Sequence, residues 1–113
     1  MLERGDGAIL TAQGGSTVRG LPHMSGPSPA QAAQRNYLQD LHAEVAGKGV
    51  YVGMLYIGAA IVNSAFHVEL EQAKAAGQPV WEMPTVEPDY LAGLLWTMHD
   101  RREQQEMIYP EHR

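Results

Sequence analysis

Apolar residues recur along this chain with two different periods, and the alternation between them sets the expected order of elements. Ala8-Ile9-Leu10-Thr11-Ala12 is a short apolar run that ends at Gly14-Gly15, preceded by a Gly5-Asp6-Gly7 turn and by Met1 to Arg4, which read as the last turn of a helix. Behind Ser28, Pro29 and Gln31, the apolar residues Ala30, Ala33, Tyr37, Leu38, Leu41 and Val45 step by three and four, and Gly47 follows as a stop. Ser28 suits a capping position, Pro29 a first helical position and Gln31 the returning side chain of a capping box, so the pattern predicts a helix over 28–46. Val50 to Ile57 is then almost continuously apolar, rich in β-branched and aromatic residues, and closed by Gly58. Such a run is expected of a parallel strand covered on both faces.

The next thirty residues are less regular. Val62 to Ala76 has helical spacing, while Gly77-Gln78-Pro79 and Met83-Pro84 break any long element, so residues 59–87 read as a lid-like excursion with one short helix. Pro88-Asp89-Tyr90 opens a second amphipathic helix with Leu91, Leu94, Leu95 and Met98 on one face. Arg102 and Glu106 are spaced to pair along its exposed side. Met107-Ile108-Tyr109 reads as a short last strand stopped by Pro110. Strand, Gly-rich loop, helix, strand, excursion, helix, strand is the order of the second half of a doubly wound parallel sheet. The expected fold class is therefore α/β, the C-terminal half of a Rossmann-like sheet with about three parallel strands and flanking helices. Residues 1–27, 28–58, 59–87 and 88–113 are its successive pieces.

Composition narrows the function classes. The chain has 113 residues, enough for one domain. A net charge of -5 with scattered cations, only Arg101 and Arg102 being adjacent, argues against a nucleic-acid partner. The absence of cysteine excludes disulfides, thiolate zinc sites and a cysteine nucleophile. No run of about 18 apolar residues predicts a membrane span, and Glu3 and Asp6 stand where a signal peptide would be apolar, so the expected location is cytoplasmic. The five histidines form no HxxxH pair, and no metal site is expected.

Three segments carry a resemblance. GAILTAQGGS, NYLQDLHAEVAGKGVYVGMLYIG and EPDYLAGLLWTMHDRREQQEMIYP resemble the fifth strand, following helix, sixth strand and last helix of the short-chain dehydrogenase/reductase family. Leu41-His42-Ala43-Glu44-Val45 and Gly49-Val50-Tyr51-Val52 are the most specific part. The resemblance implies an oxidoreductase lineage that handled NAD(P), with Gly14, Ile57 and Gly58 beside the nicotinamide and the excursion as substrate lid. It also implies a dinucleotide loop after a first strand, which this chain does not contain.

In the register set by Leu41 and Glu44, the family's proton-exchanging tyrosine falls at Pro27, its lysine at Gln31 and its serine at Gly14, with Ser16 the nearest hydroxyl. Proline exchanges no proton and glutamine carries no charge to lower a phenol's pKa, so no catalytic residue is assigned. Tyr37, the nearest phenol, lies ten residues further along, on what reads as the packed face of the helix. Ser16, Asp40 and His42 have the residue types of a hydrolase triad, but Asp40 and His42 stand about 200° apart around one helix and Ser16 lacks the nucleophile elbow. Trp96 reads as core packing and Trp81 as a cleft residue. A small enzyme of unrelated mechanism would have to use Ser16, Tyr51 or Tyr56.

Energetics add a further expectation. A parallel sheet needs neighbours on both edges of its interior strands, and the first strand here has lost one. The expected behaviour is marginal stability, with a truncated or degenerate dehydrogenase-like chain inactive on its own. The alternative is a non-catalytic interaction module that completes its sheet by homo-oligomerisation or on a separately encoded N-terminal half.

Overall fold

The computed structural model describes residues 1–23, 25–80 and 82–111. Among the described residues five strands and three α-helices follow one another as β1 (Gly7–Gly14), α1 (Pro27–Val45), β2 (Val50–Ile57), β3 (Ala60–Ile61), α2 (Ala65–Ala75), β4 (Thr85–Val86), α3 (Pro88–Arg101) and β5 (Glu106–Tyr109). β1, β2 and β5 form one parallel sheet in that order, with Gly7 opposite Val50 through Gly14 opposite Ile57, and Met54 opposite Glu106 through Ile57 opposite Tyr109. The chain is thus α/β, with a three-stranded parallel sheet flanked by helices, consistent with part of a Rossmann-like fold. β3 and β4 make a separate two-residue parallel pair.

β2 is central, and that position accounts for its composition. Val50, Val52, Met54 and Tyr56 pack beneath α1 with Leu38 and Val45, while Tyr51 and Leu55 pack on the other face with Leu91, Met98 and Val86. Every residue of the strand except Ile57 is buried. β1, at the edge, buries only Gln13 fully, and Ala12 is exposed. Gly49 enters β2 at a φ of 77°, where a Cβ would lie 2.0 Å from the Gly5 carbonyl oxygen, so both the backbone conformation and the close approach require glycine.

Several local expectations change. The first residues form a turn closed by the Gly5 N–H on the Leu2 carbonyl at 3.2 Å, not a helix end. α1 begins one residue earlier than expected, with Gly26 at its N-cap and Pro27 as its first residue. Ser28 is therefore inside the helix and buried, and its hydroxyl donates to Ser16 Oγ at 2.7 Å instead of capping. Tyr37 is 66% exposed, so the packed stripe of α1 is Leu38, Leu41 and Val45 rather than the full set of apolar positions. Trp96 is 67% exposed and stacks on His99, because Leu91, Leu94, Leu95 and Met98 already cover the sheet. Arg102 and Glu106 do not pair. α3 ends at Arg101, Arg102 takes a left-handed φ of 52°, and Glu106 enters β5 on the far side of the sheet.

The excursion forms a poorly buried lobe. No residue of α2 is buried, and Phe66 and Val68 are exposed. Its N-terminus is well made, since Ser64 accepts the His67 N–H at 3.1 Å. The radius of gyration is 16.1 Å, against about 13 Å for a compact domain of this length. Trp81 and His112 lie outside the described residues.

Candidate functional site

Ligands of parallel α/β sheets bind beyond the carboxyl ends of the strands, because loops diverge there and leave a crevice. The parallel register brings β1, β2 and β5 to a common end, so Gly14 lies opposite Ile57, and the Gly58 N–H donates to the Tyr109 carbonyl at 2.7 Å. Gly14, Ile57 and Gly58, forty-odd residues apart in sequence, are thereby placed together on the carboxyl edge. The next residue completes the approach, since a Cβ on Gly15 would stand 3.3 Å from Gly58 Cα.

α1 starts above this edge and is tied to it by hydroxyl and amide groups. After β1 the chain makes a 3₁₀ turn over Gly15–Thr17, stabilised by the Val18 N–H on the Gly15 carbonyl at 3.3 Å. Thr17 Oγ1 donates to Gln31 Oε1 at 2.9 Å, and Ser28 Oγ to Ser16 Oγ at 2.7 Å. Gln31, at the lysine position of the resemblance, is thus engaged as an acceptor. Pro27, at the tyrosine position, opens the helix. Ser16, Thr17, Ser28 and Pro29 also line an open cleft of about 390 Å³ with Arg19 and His23.

A nicotinamide dinucleotide asks two things of such an edge: room at the strand ends, and N–H groups for the pyrophosphate at a helix N-terminus. Backbone lines the strand ends at Gly14, Ile57 and Gly58. The second requirement is unmet by the residues present. Pro27 and Pro29 remove two of the first N–H groups of α1, and the space left by the missing Cβ of Gly15 is filled by the backbone of Gly58. The turn after β1 closes the sheet edge and does not cradle a phosphate.

Below the edge, on the α1 face, lies a charged cluster that sequence reasoning missed. Arg35 Nε donates to Glu106 Oε2 at 2.8 Å, Gln39 Nε2 to Glu106 Oε1 at 2.6 Å, and the Arg35 guanidinium stands 5.4 Å from the centre of the Tyr56 ring. Burial pushes the Glu106 carboxyl up, but the donors Gln39, Tyr56 and Arg35 outweigh it and hold the group below its ordinary value. The Tyr56 phenol moves the other way, raised by burial and by the carboxylate beside it, so it is a poor proton donor near neutral pH. The signal in the sequence was the spacing of Arg35 and Gln39, one turn apart on the helix side that also carries Leu38.

The remaining chemical candidates are dispersed. Tyr51 and Tyr56 are both buried but point to opposite faces of β2, and the Tyr51 hydroxyl is engaged with the Gln104 carbonyl. Asp40 sits twelve residues along α1 from Ser28, about 18 Å at the helical rise, and so far from Ser16. Among the described residues no three His, Asp or Glu side chains converge on a metal site, and no helix is long and apolar enough to cross a membrane. No family model, no curated protein and no solved structure matches the chain.

Proposed function

We propose that this chain is a degenerate half-sheet of the short-chain dehydrogenase type, an oxidoreductase by lineage that performs no hydride transfer as it stands. One observation carries the reading. The parallel register gathers Gly14, Ile57 and Gly58 at a carboxyl edge of the kind that holds a nicotinamide, while the proton-relay positions around it are Pro27 and Gln31, the latter occupied as an acceptor for Thr17. Neither residue exchanges a proton with a substrate oxygen. The test is a fluorescence titration of the 113-residue chain with NADH and NADPH, together with a turnover assay over small carbonyl compounds. No turnover and no saturable binding below millimolar cofactor is expected. Saturable binding with turnover would overturn the proposal.

A second reading, a non-catalytic interaction module, is favoured by β1. Its outer edge carries no strand among the described residues, and its apolar side chains are only half covered. Sheet edges of this kind bind other chains through main-chain hydrogen bonds.

A further inference from the structure

Charge is distributed unevenly along this chain, and one cleft collects the consequence. Thirteen acidic side chains against eight Lys and Arg give a net charge of -5, yet no Asp or Glu falls between Asp6 and Asp40. That interval holds Arg19, His23 and Arg35, and it builds β1, the turn after it and most of α1. The open cleft of about 390 Å³ at the start of α1 lies within it, lined by residues between Ser16 and Ala32. No carboxylate lines the cleft, so its field is set by the cations, and a concave wall of low dielectric concentrates such a field. The volume is that of a small-molecule site.

Three donors at the cleft have no acceptor among the described residues. Arg35 is paired with Glu106, whereas Arg19 takes part in none of the ion pairs. Ser16 Oγ accepts the Ser28 hydroxyl at 2.7 Å, so its own proton remains to be donated. The bond from the buried Ser28 polarises Ser16 and strengthens the donation it makes in turn. The His23 imidazole lines the same cleft and carries an N–H in either protonation state. Val18, Leu21 and Pro29 form an apolar part of the wall, and Leu21 is 46% exposed. This donor set suits a carboxylate: the guanidinium fork matches its two oxygens, and the hydroxyl and imidazole supply the remaining lone pairs. A phosphate asks instead for backbone N–H groups at a helix N-terminus, and Pro27 and Pro29 remove two of those.

We propose that the cleft between the turn after β1 and the start of α1 binds small organic acids, with the carboxylate on Arg19, Ser16 and His23 and the hydrocarbon body on Val18, Leu21 and Pro29. The site stands apart from the dehydrogenase reading, since it needs neither a dinucleotide nor a proton relay. The test is a titration of the isotope-labelled 113-residue chain with benzoate, benzamide and phenyl phosphate, followed through the amide chemical shifts. Benzoate should saturate with a Kd on the order of a millimolar, as befits so small a ligand, and should move the amides of Ser16 to Leu21 and of Ser28 while leaving those of α3 unchanged. Benzamide, its neutral isostere, should bind at least about tenfold more weakly, and phenyl phosphate no more tightly than benzoate. Arg19→Gln should weaken benzoate roughly tenfold and Ser16→Ala about threefold. Arg19 is exposed, so the circular dichroism spectrum of its variant should match wild type. Benzamide binding as well as benzoate would overturn the proposal, and so would tighter binding of phenyl phosphate, shifts centred away from the cleft, or no saturation by benzoate. Should either variant fail to fold, the three titrations of the wild-type chain decide alone.

Discussion

The two faces of the sheet are held by different forces. Beneath α3 the contact is apolar throughout: Leu91, Leu94, Leu95 and Met98 meet Tyr51, Leu55, Ala8 and Leu10. Beneath α1 only the C-terminal turns are apolar, through Leu38, Leu41 and Val45. From its first turn to Gln39 it is also fastened by pairs of polar side chains: Ser28 with Ser16, Gln31 with Thr17, Gln34 with Gln13, and Arg35 and Gln39 with Glu106. Apolar burial is non-directional and tolerates small shifts, whereas each hydrogen bond holds only at its own geometry and contributes a net of about 0.5–1.5 kcal/mol. Among the described residues Thr11 Oγ1, Gln13 Oε1 and His42 Nδ1 are buried on the α1 side without partners, and His99 Nδ1 and Gln105 Nε2 elsewhere. The lesson is that apolar burial holds both helices to the sheet, while the polar pairs of α1 also specify how its carboxyl edge is arranged.

The largest effect should come from the apolar face. Leu91→Ala empties a site that is 5% exposed and is expected to lower unfolding free energy by about 2–4 kcal/mol. A chemical denaturation midpoint little changed from wild type would break the comparison. On the polar face, Glu106→Gln leaves the partly buried Arg35 guanidinium without its counter-charge, at a cost of about 1–2 kcal/mol.

The pH dependence of that variant sharpens the contrast. The folded chain binds the Glu106 proton more weakly than the unfolded chain does, so the group's contribution is complete above the unfolded value of about 4.3 and is lost as pH falls below it. Wild type should therefore converge on Glu106→Gln as the pH is lowered from 7 to 3. A stability gap that stays constant over that range would sink the ion-pair account. The smallest effect is expected where neither face is involved: Trp96→Ser, on the outer side of α3, should change stability by less than about 0.5 kcal/mol.

Much of the fold was legible because it is written locally. The almost continuous apolar run from Val50 to Ile57 was expected of a strand covered on both sides, and it is the buried centre of the sheet. The Leu91, Leu94, Leu95, Met98 stripe was equally direct, since one helix face met one apolar surface. α1 misled because its apolar positions are split: Ala30, Ala33 and Tyr37 turn to solvent, and glutamines and an arginine face the sheet. Periodicity measures how apolar residues are spaced; it is blind to a polar stripe whose partners lie on another strand. The Arg102–Glu106 expectation failed for a related reason. Helical spacing assumes that the helix continues, and the left-handed turn at Arg102 sends Glu106 across the sheet to a residue seventy-one positions away.

The candidate site divides in the same way. Its residues Gly14, Ile57 and Gly58 came from a resemblance to strand ends, and so did the register that sets Pro27 and Gln31 at the proton-relay positions. What the sequence alone determined, then, was the order of the main elements and the both-sides burial of β2, because each follows from local pattern. Only the tertiary structure decided which hydroxyls and amides pair across the carboxyl end, and where Glu106 finds Arg35. Those facts depend on parallel register between segments forty to seventy residues apart, and no local spacing encodes that register.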